Sequence, residues 1–194
     1  LFFDARPSWM STFVRRAVER DARFVVSSRV VTSRNVSTNA GRPPARLDDL
    51  AALELFDAVV VGAPDALSER DVAGLEAFMR RRGGSVVLLL DRRATGPYER
   101  LAGVTTWVGD SSGKPASIAP ASGDSATMRA AELLWPARLP DGADAVAAPR
   151  DTAVRAPVVW RLPVGAGRLV TSGALDAWRF RDRAVSTFDR FWQS

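Results

Sequence analysis

The chain contains no cysteine and no histidine. Without Cys there is no disulfide, no zinc–thiolate site and no thiol nucleophile. Without His the commonest metal ligand and the commonest general base near neutral pH are missing. A Ser–His–Asp triad is therefore excluded, and no G-x-S-x-G elbow is present. Lysine is nearly absent too: Lys114 is the single one, so the net charge of +5 rests on arginine. No apolar run approaches the roughly 18–20 residues that cross a bilayer; the longest, Ser85 to Leu90, has the length of a buried strand. There is no signal-peptide pattern. Neither G-x-G-x-x-G after a strand nor G-x-x-x-x-G-K-[ST] occurs, so no dinucleotide or P-loop site is expected.

What is present is an ordinary globular composition. Apolar residues make up 46% and charged residues 25% of 194, enough for one domain over 1–194 with a real core. The chain opens in strand-like residues (Leu1, Phe2, Phe3) without a Met, which reads as a domain cut from a longer polypeptide. A nucleic-acid footprint needs arginine gathered on one face. The visible clusters are Arg80-Arg81-Arg82, the basic last turn of a helix, and Arg92-Arg93. No nucleic-acid partner is expected.

Leu1 to Asp4 reads as a buried strand, and Ser8 as the N-cap of a helix with Trp9, Phe13 and Ala17 on one face. Ala22 to Val31 is strand-like, residues 33–46 read as a loop, and Leu47 to Leu55 as a short helix. Phe56 to Gly62 is a buried strand. Ser68-Glu69-Arg70-Asp71 resembles a capping box with Asp at its fourth position, and Val72, Leu75, Phe78 and Met79 form the stripe of the helix it opens. Gly83-Gly84 ends that helix before the strand Val86 to Leu90. A strand, a helix and a strand joined by short loops form a βαβ unit, and strands apolar throughout require helices on both faces. Further on, a short helix over Pro97 to Leu101 and a strand over Thr105 to Val108 are expected. Residues 109–125 read as irregular, within an irregular insertion over 104–150. Leu133, Leu134 and Trp135 should dock on the core. Val158, Trp160 and Leu162 alternate, Gly165-Ala166-Gly167 turns, and Arg168 to Ser172 returns as a hairpin. Ala184 to Trp192 closes the chain as a helix with Val185, Phe188 and Trp192 on one face. The fold class is α/β: a flavodoxin-like, open, mostly parallel sheet with helices on both faces and a C-terminal β-hairpin plus helix.

In such sheets ligands bind beyond the carboxyl ends of the strands. Asp4 and Arg6 follow the first strand, Gly62 and Pro64 the third, Asp91 and Arg92 the fourth, and Asp176 the C-terminal one. Asp4, Asp91 and Asp176 could hold a divalent cation through oxygen. The competing reading has each Asp capping a turn or pairing with an arginine, as Asp4 would with Arg6. A phosphoacceptor site is not supported, because Asp4 stands alone and Lys114 lies in a Ser/Gly/Pro-rich loop. No resident metal and no cofactor are expected. Packing is the default role for Trp9, Trp160, Trp178 and Trp192; stacking on a ligand is the alternative for Trp107 or Trp178.

Asp57-Ala58-Val59-Val60-Val61-Gly62, the helix start at Leu67-Ser68, and Leu75-Glu76-Ala77-Phe78 leading to Gly83-Gly84-Ser85-Val86-Val87 resemble the class I glutamine amidotransferase-like fold. Asp4-Ala5-Arg6-Pro7-Ser8-Trp9 with Phe13 to Ala17, and Gly165 to Arg168 with Asp176-Ala177-Trp178-Arg179 and Phe191-Trp192, are similar to its non-catalytic branch in bacterial membrane proteins with von Willebrand A-type domains. The resemblance covers about 1–91 and 157–193. The family's Cys is replaced by Asp91-Arg92-Arg93 after its strand, and its His is missing, so amidotransferase chemistry is excluded. The resemblance implies a non-catalytic, ligand- or protein-binding pseudoenzyme. It would be the extracytoplasmic part of a membrane-anchored protein, touching a membrane only through its parent chain. Its partners would be the parent's other domains or another protein. The ligand-binding residues would be Asp4, Arg6, Asp91, Arg92, Asp176, Trp178 and Arg179, although Arg179 could instead pair with Asp4 or Asp176 as a structural contact. Two rival expectations remain: a carboxylate-based, metal-assisted hydrolase using Asp4, Asp91 and Asp176, and a purely architectural module.

Overall fold

A computed structural model describes residues 1–34, 36–123, 126–150, 156–181 and 187–193. Its centre is a ten-stranded sheet in the order β3-β2-β1-β4-β5-β12-β11-β10-β7-β8. The parallel middle consists of β2 (Ser28–Ser33), β1 (Phe2–Asp4), β4 (Ala58–Gly62), β5 (Ser85–Leu89) and β12 (Gly167–Ser172). On one side β3 (Val36–Ala40) adds antiparallel to β2. On the other, β11 (Val159–Val164), β10 (Asp144–Pro149), β7 (Ala116–Pro120) and β8 (Met128–Ala130) continue as an antiparallel wing. A separate ribbon pairs β6 (Trp107–Asp110) with β9 (Leu133–Pro136). The class is mixed α/β.

Burial explains the middle. Val59, Val61, Val86 and Leu88 are buried on one face against Val72 and Leu75 of α3 (Glu69–Ala77). Phe2 and Leu89 are buried on the other against Met10 and Val14 of α1 (Trp9–Glu19). Each fully buried Val or Leu stabilises the fold by about 1.5–3 kcal/mol, which is why these strands are apolar along their length. The α3 capping box forms as expected, with Ser68 Oγ accepting from the Asp71 amide and the Asp71 carboxylate from the Ser68 amide. Its last turn widens into a π-helix over Phe78–Arg82, and Gly83 stops it at φ 73°.

Three local expectations change. Residues 33–46 do not form a loop throughout, because β2 and β3 make a hairpin there. β2 itself starts only at Ser28, and the strand-like residues before it lie outside the ladder. Within 109–125, Ala116–Pro120 is β7, held between β10 and β8. In both places backbone pairing to a neighbour, not side-chain pattern, makes the strand. The buried stripe of α1 runs through Met10, Val14 and Ala17, which leaves Trp9 62% exposed.

The remaining helices are short: α2 (Leu50–Leu53), α4 (Tyr98–Ala102) and α5 (Thr187–Gln193). α5 buries Phe188 beneath α1, while Ala184 and Val185 lie outside the described residues. Among the described residues no helix is long and apolar enough to cross a membrane.

Candidate functional site

The seven residues singled out in the sequence fall into two clusters. At the carboxyl ends of β1, β4 and β5, Arg6 donates to both Asp91 oxygens at 3.0 and 2.6 Å and to Asp65 at 3.0 Å. Arg92 reaches the other Asp65 oxygen at 3.1 Å. Asp65, which the sequence did not flag, is thus the hub of an alternating Asp91–Arg6–Asp65–Arg92 chain. The chain turns toward Arg6 at Ala63, a buried non-glycine residue in the left-handed region at φ 54° and ψ 57°. Such a conformation costs about 1–3 kcal/mol and persists only where its surroundings hold it.

Asp4 does not join this network. It is buried beneath α1, where its carboxylate accepts from Ser11 Oγ at 2.5 Å and from the Gly62 amide. Gly62 leaves the space, since a Cβ there would sit 2.3 Å from Asp4 Oδ1. Burial pushes the Asp4 pKa up to about 6. The Ser11 hydrogen bond, Arg15 and the Gly62 amide oppose the rise, and the charge of Asp91 adds to it. The expected Asp4–Arg6 pair is replaced by Arg6–Asp91 because the two side chains leave β1 toward different neighbours.

The second cluster surrounds Asp176. Its Oδ1 accepts the amides of Ala131 and Glu132, both at 2.9 Å, and so clasps the turn between β8 and β9. Arg179 lies 3.6 Å from Asp176 and donates to Glu132 at 3.1 Å. The structural alternative for Arg179 is therefore observed with Asp176, not with Asp4. Asp176 opens a short 3-10 turn, Ala177–Phe180, and that turn carries Trp178. The Trp178 ring stacks near Trp9 (centroids 5.7 Å apart) and Phe13 (5.9 Å).

These contacts bear on two of the sequence readings, the carboxylate metal site and the stacking role of Trp107. Among the described residues there is no group of three or more carboxylates that could hold a metal ion; Asp91 pairs with Arg6 and Asp176 accepts backbone amides. Trp107 is packed, its Nε1 bonded to Glu99 at 2.7 Å and its ring against Tyr98 and Trp160. A cavity of about 290 Å³ lies at the opposite, amino end of β12, lined by Arg80, Arg100 and Leu162 among others. None of the sequence-selected residues lines it. Both its arginines are already paired, Arg80 with Glu76 and Arg100 with Glu69.

No family model and no curated protein matches the sequence. Solved structures do. The cold-adapted β-galactosidase of Rahnella sp. R3 matches with a TM-score of 0.51 and 19% identity, over 72% of this chain and 22% of that one. The β-galactosidase of Bacillus circulans sp. alkalophilus matches at 0.49 and 13%, over 66% and 21%. The exo-β-1,4-mannosidase Op5Man5 of Opitutaceae bacterium strain TAV5 matches at 0.42 and 16%, over 71% and 22%. The chain thus spans about a fifth of the length of these proteins.

The match to the Rahnella β-galactosidase overturns the glutamine amidotransferase-like assignment. The Rahnella structure whose fold the chain shares is a β-galactosidase, so the reading as a non-catalytic pseudoenzyme of the amidotransferase-like family falls with that assignment. The rival reading, a metal-assisted hydrolase on Asp4, Asp91 and Asp176, gains no support either. The physical reason lies in the motifs. A buried strand, a capped helix, a Gly-Gly stop and a second buried strand describe any parallel βαβ unit, so they carry the unit and not the family.

Proposed function

We propose that this chain is an α/β domain of a larger glycoside hydrolase-type protein. The observation that carries the reading is the fold likeness to the Rahnella β-galactosidase, in which the matched part is 22% of the whole. Two features of the site support it. Asp65 and Asp91 are matched by Arg6 and Arg92 together, so the strand-end edge is a closed ionic network. What the surface offers a carbohydrate is the aromatic face around Trp9 and Trp178, and flat indoles suit the apolar faces of sugar rings. On this reading the domain's nearest partners are other domains of its own polypeptide. The position of α1 on one face of the parallel middle and α3 on the other supports a flavodoxin-like winding for that part.

The test is an activity screen of the polypeptide encoded by the full reading frame against aryl β-galactosides, β-mannosides and related aryl glycosides. Release of the aryl group from at least one β-glycoside is the expected result. No release from any member of the panel, by a folded protein, overturns the reading.

A further inference from the structure

Trp9 is the least buried large aromatic side chain in the described structure, 62% exposed at the first turn of α1. Its neighbours make that exposure informative. The rings of Trp9, Phe13 and Trp178 form a triangle with centroids 6.1, 5.7 and 5.9 Å apart and planes within 7–27° of parallel. Three guanidinium groups border it. Arg181 lies 3.4 Å from the Phe13 ring centroid and Arg16 5.3 Å, while Arg179 is 5.4 Å from that of Trp178.

The three cations are not equivalent. Arg179 is balanced by Glu132 and Asp176. Arg181 donates to the Trp178 carbonyl and has no carboxylate within ion-pair distance among the described residues, and neither has Arg16. The ledge therefore joins apolar ring faces to two arginines that have no carboxylate partner among the described residues. It is also held in place. Ser8 caps the helix that presents Trp9, and the Asp176 clasp fixes the turn that presents Trp178. Side chains fixed in advance lose little entropy on binding.

We propose that this ledge binds an acidic saccharide, a pyranose unit bearing a carboxylate or sulfate. The inference rests on the glycoside hydrolase-type reading and deepens it. The axial C–H face of a pyranose lies flat on an indole, and a planar guanidinium takes a carboxylate or sulfate through paired N–H donors. A neutral sugar would use the rings and leave both cations unmatched. An apolar protein segment would have to desolvate Arg16 and Arg181 without pairing them, which is unfavourable. A nucleic acid would need a stripe of phosphate contacts rather than two charges beside one ledge.

The experiment is titration of the 194-residue chain by tryptophan fluorescence and calorimetry. The probes are short oligogalacturonides and, in parallel, neutral galacto-oligosaccharides of the same length. The expected result is binding of the acidic series only, weakened about tenfold or more by Trp9→Ala, an exposed position whose truncation leaves the fold intact. Arg181→Gln should weaken it by about fivefold or more and flatten its dependence between about 0.05 and 0.5 M salt. Unchanged melting temperatures confirm that both variants are folded. Equal affinity for the neutral series, or acidic binding indifferent to Trp9→Ala, overturns the proposal. So does binding of single-stranded DNA in preference to oligogalacturonide. If the full polypeptide hydrolyses glycosides but this chain binds no acidic saccharide, the ledge proposal fails and the broader reading stands.

Discussion

Asp4 is a carboxylic acid whose surroundings favour its neutral form. Burial outweighs the stabilisation from Ser11, Arg15 and the Gly62 amide, and the folded pKa rises to about 6 against about 3.9 in an unfolded chain. Between those values the folded state binds more protons than the unfolded one, so this group makes stability fall as pH rises. Its stabilising contribution is complete below about pH 4 and lost as pH rises through about 6, a span on the order of 2–3 kcal/mol. Asp4→Asn keeps an oxygen for Ser11 and Gly62 and removes the titration. Urea denaturation of both proteins at pH 4.5 and pH 7 should show a stability difference in the native chain that shrinks in the variant. An equal difference in both would mean that Asp4 titrates like an exposed carboxylate. The same residue shows what the sequence could not convey. Its partner Ser11 is seven positions away, but those of Arg6 are 59 and 85 positions away and the amides clasped by Asp176 lie 44 and 45 away. Such pairings exist only once the sheet has assembled.

Among the elements, β12 joins the parallel middle to the antiparallel wing, and the residue after it is the tightest point of the join. The Gly173 amide donates to the Val158 carbonyl and its own carbonyl accepts from Leu134, both at 2.8 Å. A Cβ at this position would meet the Leu134 carbonyl oxygen at 1.9 Å, and that atom is backbone and cannot turn away. Gly173→Ala should therefore push β9 off β12, costing about 3 kcal/mol and lowering Tm by about 6–12 °C. Gly142→Ala is the control. Its position has φ 79° but open space around it, so about 1 kcal/mol is expected. Equal losses at the two sites in a thermal melt would show that conformational strain, not the close approach, sets the cost. Legibility followed the same division. The strands of the middle, β4 and β5, were readable because burial on both faces demands unbroken apolar runs. The β11–β12 hairpin was readable from its glycine turn. β3 and β7 were not, since Val-Ser-Thr-Asn-Ala and Ala-Ser-Ile-Ala-Pro carry weak strand signals and owe their shape to the ladders beside them. Trp9 was misread because the helix phase is set by Met10 and Val14, one position further on.

At the scale of the molecule, the sheet is unevenly secured from end to end. β5 has a parallel neighbour on each side and buries Val86, Leu88 and Leu89 completely. β3 pairs only with β2, has no fully buried residue, and exposes Val36. Opening β3 thus uncovers little apolar surface, whereas opening β5 separates both packed faces at once. Local opening follows the apolar area it exposes, and amide exchange reads that free energy directly. Amides of β4, β5 and β12 should exchange at least about a hundredfold more slowly than those of β3. The wing is tied to the centre by six β11–β12 register pairs and by Trp160, wholly buried in the same core cluster as Val86 and Leu88 of β5. The β11 amides should therefore follow the centre rather than the edge. Protection of β3 equal to that of β5 would mean that the sheet opens only as a whole, and the edge would then owe its order to something other than its single ladder.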